Sequence, residues 1–96
     1  MFKFRSRVDR NHRELVTALR AVGAEVLDLS RVGQGCPDLL VGWRGQLTLL
    51  EVKSGNGKLS EDQVWFHQFW SGYVKVIRTV PEALAAIGAE VEGGTG

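Results

Sequence analysis

The chain is 96 residues long, with net charge +1, 44% hydrophobic and 24% charged residues, which sets the expectation of one globular domain around a single core. Its longest stretch without Asp, Glu, Lys or Arg, Gln63–Val74, is too short for a bilayer span of roughly 20 apolar residues, and one cysteine (Cys36) with two histidines (His12, His67) excludes a disulfide framework and a cysteine-rich zinc site. The charge is uneven: residues 1–20 hold six bases against two acids, while residues 79–96 hold three acids and no base, so the chain carries either a polyanion-binding arm or a solvated basic tail.

In chain order, Met1–Arg10 is basic with no apolar stretch behind it, so a secretory signal is not expected and the sequence predicts a cytoplasmic protein without a membrane partner. Residues 1–8 read as a basic N-terminal arm. Asn11-His12-Arg13-Glu14 has the form of a capping box, and Leu15, Ala18, Leu19 and Val22 follow at helical spacing. These predict a helix from about Arg10 to Val22, with Asp9 as the rival cap and Gly23 as its stop. Ala24–Ser30 alternates and predicts a short strand. Gly33–Pro37 is turn chemistry.

Two β-rich runs follow, Asp38–Trp43 and Gln46–Lys53, separated by Arg44-Gly45, which predicts a two-residue hairpin turn. Ser54–Lys58 reads as a loop. Ser60-Glu61-Asp62-Gln63 is a second capping box, opening a helix to about Trp70 whose Trp65, Phe66, Phe69 and Trp70 read most simply as core, with a dimer face as the alternative. Tyr73–Arg78 predicts a last strand, Pro81–Ile87 a short helix, and residues 93–96 a flexible tail. The expected fold is an α/β (mixed α+β) single domain in the order α-β-β-β-α-β-α.

The hairpin carries the chemical information. With Arg44 and Gly45 as the loop, facing residues sum to 89, which sets Leu40 opposite Leu49 and Asp38 opposite Glu51. Two carboxylates about 5 Å apart repel by about 3 kcal/mol at an effective dielectric near 20. Two offsets are in reach. Lys53 shares the face of Glu51 by the period of two, and a divalent cation between the acids would supply the rest. Oxygen ligands favour a hard ion, Mg²⁺ or Mn²⁺. Lys53 would then orient or deprotonate an attacking water, or neutralise charge on a phosphoryl oxygen. The bland alternative is a solvent-facing Glu51–Lys53 pair. Against it, Leu47 and Leu49 share their side of the strand while Thr48, Leu50 and Val52 line the other, so both sheet faces are expected to be buried.

These residues resemble a known family. Gly35-Cys36-Pro37-Asp38, then Glu51-Val52-Lys53 after twelve intervening residues, looks like the PD-(D/E)xK nuclease signature. With a preceding helix bearing Glu14 and the following Ser60-x-x-Gln63, it looks most like the small stand-alone phage and bacterial VRR-NUC branch. The resemblance spans about Asp9 to Val80 and implies a restriction-endonuclease-like core. It also implies a Mg²⁺- or Mn²⁺-dependent endodeoxyribonuclease, structure-selective for Holliday junctions or other branched DNA, working as a homodimer in a bacterial cell or a phage-infected host. Carried over by position, Asp38, Glu51 and the Val52 carbonyl would ligate the metal, with Glu14 reaching it directly or through water. Lys53 would be the catalytic lysine and Gln63 a further catalytic residue. Glu14 and Gln63 serve equally well as helix caps. Arg10, Arg13, Arg44 and Lys58 are candidate phosphate contacts, each equally a solvated charge. Cys36 reads as a small half-buried thiol, since no cysteine-protease context surrounds it. A non-catalytic nucleic-acid-binding module and a nicking or flap nuclease remain the alternatives.

Overall fold

The computed structural model describes residues 3–89, with side chains from Asn11 onward. The elements are α1 (Lys3–Ala21), β1 (Glu25–Asp28), β2 (Leu39–Trp43), β3 (Gln46–Val52), α2 (Glu61–Phe69), β4 (Val74–Ile77) and α3 (Val80–Ile87), in the order expected. The sheet runs β1-β2-β3-β4, with β1–β2 and β2–β3 antiparallel. β3 and β4 are parallel, and α2 lies in the connection that parallel neighbours require. This is a mixed α+β fold. Among the described residues no helix is long and apolar enough to cross a membrane.

The hairpin forms with the register its turn dictates. Trp43 pairs with Gln46, Leu40 with Leu49 and Leu39 with Leu50. Arg44 (φ 50°) and Gly45 (φ 79°) both take the positive φ of a primed turn. Such a conformation is strained for Arg44, and the Arg44 guanidinium lies 4.3 Å from the centre of the Trp43 ring, a cation–π contact that favours it.

α1 and α3 pack on one sheet face. Leu15 and Leu19 from α1, Leu39, Val41, Leu50 and Ile77 from the sheet, and Ala83, Leu84 and Ile87 from α3 form the core. α1 ends where expected: Gly23 takes φ 97° and its N–H donates to the Arg20 carbonyl. Its beginning differs from expectation. The helix starts at Lys3, so the backbone of the expected arm at residues 1–8 is helical from Lys3 on. Asn11-x-x-Glu14 then falls mid-helix and caps nothing. No Gly or Pro interrupts Lys3–Arg10, so a capping pattern at Asn11 had nothing to stop the helix extending past it.

The opposite sheet face is the second departure. Both faces were expected to be buried, yet Leu47 is exposed and α2 has no buried residue. Trp65, Phe69 and Trp70 are exposed rather than core. They stack along the helix as i, i+4 pairs instead, Trp65 on Phe69 at 4.7 Å and Phe66 on Trp70 at 5.2 Å between centroids. A nine-residue helix is too short to roof a four-stranded sheet.

One close approach holds the β1–β2 connection against α2. Gly35 has φ 78°, and a Cβ there would run into the main-chain carbonyl of Asp62. Gly33 also has φ 78° but stands in open space. Gly35→Ala is therefore expected to lower stability by about 1–3 kcal/mol, and by more than Gly33→Ala, in chemical denaturation. Equal losses would mean that only backbone strain matters at Gly35.

Candidate functional site

The sheet opens into a polar cleft where the β2–β3 ladder ends. Asp38 immediately precedes β2, one step beyond the Leu39–Leu50 pair, and so lies across from Glu51. Its main-chain carbonyl accepts from Leu29 N–H (2.7 Å), and its Oδ2 accepts from Val52 N–H (2.9 Å). The side chain thus extends the ladder by one rung after the backbones part, which fixes its orientation. Lys53 N–H donates to the Ile77 carbonyl at 3.0 Å, tying the next residue to β4.

Glu51 is 1% exposed and is the buried charged residue of the domain among those described. The period of two turns it away from Leu50 and the core, toward α2. There Gln63 Nε2 donates to Glu51 Oε2 at 3.1 Å. Glu51 Oε1 has no hydrogen-bond partner among the described residues, and neither has His67 Nε2, which faces it at 4.0 Å. Burial first, then the neighbouring Asp38 carboxylate, push the Glu51 carboxyl up to about 8, while the Lys53 charge opposes the rise. Burial and then Lys53 hold His67 below the ordinary imidazole range, which favours its neutral form.

Asp38, Glu51, Val52, Lys53 and Gln63 line one cavity of about 310 Å³. Gln63 also closes the capping box: its Oε1 accepts from Ser60 N–H (2.8 Å), and its own N–H donates to Ser60 Oγ (3.2 Å). The cap and the contact with Glu51 use opposite ends of one amide.

Other expected residues lie elsewhere. Glu14 is exposed and does not line the cavity. His12 does, and Glu14 stands two positions on, about 200° round the helix. Arg44 sits at the hairpin tip, roughly 20 Å along the strands from Glu51 at ~3.3 Å per residue, too far for a phosphate contact at the cavity. Arg13 and Lys58 are exposed and also outside the lining, and the Arg10 side chain lies outside the described residues. Cys36 is half-buried as expected. Burial, then Glu51, then Asp38 raise its thiol pKa, the opposite of what a nucleophile needs.

Three polar residues complete the cavity wall without having been singled out. His12 Nε2 lies 3.3 Å from Asp28 Oδ2. Asp28 Oδ1 accepts from both N–H (2.8 Å) and Oγ (2.6 Å) of Ser30, bonds that hold its carboxyl below the usual range. Beside His12, Asn11 Nδ2 reaches the Lys53 carbonyl and Ser54 Oγ, both at 3.3 Å, and ties α1 to the end of β3. One sequence signal for His12 existed: it precedes core Leu15 by three positions, on the same helical face.

The donor set suits a hard cation. Asp38 and Glu51 offer carboxylate oxygens, one of them buried without a partner among the described residues, and Val52 lines the same cavity. Among the described residues no group of three His, Cys, Asp or Glu is arranged to hold a metal. The protein's share of a coordination shell would therefore be small. An ion that keeps several waters fits such a share. No family model, curated protein or solved structure matches the chain.

Because the folded-state pKa of Glu51 lies above the ordinary 4.5, its contribution to stability is fully present below about 4.5 and is lost as pH rises through about 8. In chelator, the melting temperature is expected to fall between about pH 5 and about pH 9, and Glu51→Gln should flatten that slope. Parallel pH profiles for the two proteins would show that Glu51 titrates normally.

Proposed function

We propose that this chain is a Mg²⁺- or Mn²⁺-dependent DNA endonuclease with a restriction-endonuclease-like core, of the PD-(D/E)xK class and its VRR-NUC branch. The observation that carries this reading is the Glu51 carboxylate, buried with Oε1 unpartnered among the described residues, beside Asp38 and Lys53 in one open cleft. A fold has no structural use for two opposed acids at a strand end with one oxygen left unsatisfied, and such an atom is costly to bury. The excess of bases over acids in residues 1–20 suits a phosphate backbone as partner.

Asp38, Glu51 and the Val52 carbonyl would hold the cation, which when bound supplies Lewis acidity to a phosphodiester oxygen and to water. The Val52 N–H fixes the Asp38 carboxylate, and Gln63 fixes Glu51 from above. Lys53 lines the cleft with a positive charge that would balance the negative charge developing on the phosphoryl oxygens as water adds and the ester oxygen departs. His12 lines the same cleft, held beside Asp28, and would offer an imidazole to a bound phosphate or water. Glu14 has no part in this arrangement. The substrate class we assign is branched DNA, as the resemblance to the VRR-NUC branch implies. Resolving a four-way junction needs two cuts related by symmetry, and hence two copies of the chain.

The test is cleavage of labelled duplex, nicked, flapped and four-way DNA in Mg²⁺, Mn²⁺ or chelator. Wild-type protein is expected to cut only with metal, and Lys53→Ala to cut at least about 100-fold more slowly while binding Mn²⁺ nearly as well in calorimetry. No metal-dependent cutting of any substrate, with DNA still bound, would point to a non-catalytic binding module. Asp38→Asn is expected to lose both Mn²⁺ binding and cleavage yet stay folded, since an amide oxygen can still accept from Val52 N–H. An active Asp38→Asn protein would remove the site.

A further inference from the structure

We propose that His12 is the general base of the cleft, taking a proton from the attacking water through Nδ1, and that Asp28 is the positioning residue that aims its imidazole. This role rests on the hydrolytic reading of the cleft and fills a place that reading leaves empty. As water adds to phosphorus, one P–O bond forms and the ester P–O bond breaks. The water must also give up a proton to some group, while the departing oxygen can take one from solvent in an open cleft.

The other groups of the cleft wall are engaged or unsuited. A charged ammonium donates only, so Lys53 in the part given to it has no lone pair for the proton. Asp38 and Glu51 are committed to the cation. Gln63 and the Val52 main chain offer amides, which are not bases. Asp28 Oδ1 already accepts from both N–H (2.8 Å) and Oγ (2.6 Å) of Ser30, and these bonds hold its carboxyl below the usual range, which makes it a poor proton acceptor. His67 is outside the lining, with its Nε2 buried against Glu51. His12 remains, and imidazole is the side chain that ordinarily exchanges its proton nearest neutral pH.

Contacts on both sides set His12 in place. One residue earlier on α1, Asn11 Nδ2 reaches the Lys53 carbonyl and Ser54 Oγ, both at 3.3 Å, which ties this turn of the helix to the end of β3 that carries Glu51 and Lys53. From β1, Asp28 Oδ2 lies 3.3 Å from His12 Nε2. An ionised carboxylate only accepts, so this contact favours the tautomer with hydrogen on Nε2 and a lone pair on Nδ1. The two Ser30 donors fix the Asp28 carboxylate in turn. Ser30, Asp28 and His12 thus form a relay of the kind in which a carboxylate orients an imidazole and steadies the imidazolium formed when it takes a proton. The His12 side chain keeps 19% of its surface exposed, and the cavity it lines holds about 310 Å³, room for a water beside a phosphate group.

Single-turnover cleavage of the same labelled DNA panel in Mn²⁺, with DNA binding measured separately in chelator, tests this beside nitrogen-15 NMR of the two histidines. His12→Ala is expected to cut about 100-fold more slowly with DNA affinity unchanged, and added imidazole to restore at least about 10-fold of the lost rate. Imidazole should do nothing for Lys53→Ala. In the metal-free wild type, NMR should show His12 with its hydrogen on Nε2, and Asp28→Asn should shift it toward a mixture of tautomers and slow cutting about 10-fold. A His12→Ala protein within about 3-fold of wild type, a loss that imidazole does not restore, or a wild-type His12 with its hydrogen on Nδ1 would overturn the assignment. Wild-type protein inert on every substrate would remove the hydrolytic reading and this role together. Wild-type protein that cuts as fast as His12→Ala would remove this role alone.

Discussion

The opposition of Asp38 and Glu51 across the end of one hairpin is the constraint around which the rest of the molecule is arranged. Two carboxylates are forced together by a register set six residues from each of them, at Arg44-Gly45. A slip of one residue would turn Glu51 into the core beneath α1 and α3 and leave Leu50 in the cleft. With the register fixed, the repulsion is handled locally. Asp38 takes the Val52 N–H, Gln63 takes one Glu51 oxygen, and the Glu51 carboxyl rises to about 8. The other Glu51 oxygen stays buried with no hydrogen-bond partner among the described residues.

α2 shows how one side chain joins local and long-range structure. Capping and a place in the site stood as alternatives for Gln63, because sequence presents them as competing uses of one residue. An amide has two ends, and here Oε1 serves the Ser60 backbone while Nε2 serves Glu51. The signal that starts the helix therefore also sets its distance from the acids. Glu at that position would keep the cap but bring a third carboxylate onto Glu51.

What was legible in the sequence was whatever local geometry determines. The turn at Arg44-Gly45, the pairing of Leu40 with Leu49, the capping box at Ser60 and the stop at Gly23 all follow from residues a few positions apart, and each forms as expected. The start of α1 was not legible, because Asn11-x-x-Glu14 satisfies a capping pattern equally at a helix start or in mid-helix. The spacing of Leu15 and Leu19 did mark the inward face, and both join the core. That phase sends His12 to the cleft and leaves Glu14 exposed. The aromatic helix failed for a related reason: Trp65, Phe66, Phe69 and Trp70 are compatible with core or with an open face, and the choice depends on how much sheet there is to cover. Asp28 and Ser30 were hidden because their role arises only when the β1 end meets His12.

The same tether explains why one sheet face stays open. α1 and α3 supply enough leucine, isoleucine and alanine to seal the face carrying Leu39, Val41, Leu50 and Ile77. The other face carries the polar cleft at Glu51, and α2 covers the sheet only at that end. α2 is pinned over that end by Gln63 and held close at Gly35, where the approach of Asp62 leaves no room for a side chain. A helix fixed at its first turn and only nine residues long cannot also reach Leu47 near the hairpin tip. The polar cleft and the open apolar face are thus two consequences of one placement. A substitution that moved α2 down the sheet to bury Leu47 would withdraw Gln63 from Glu51.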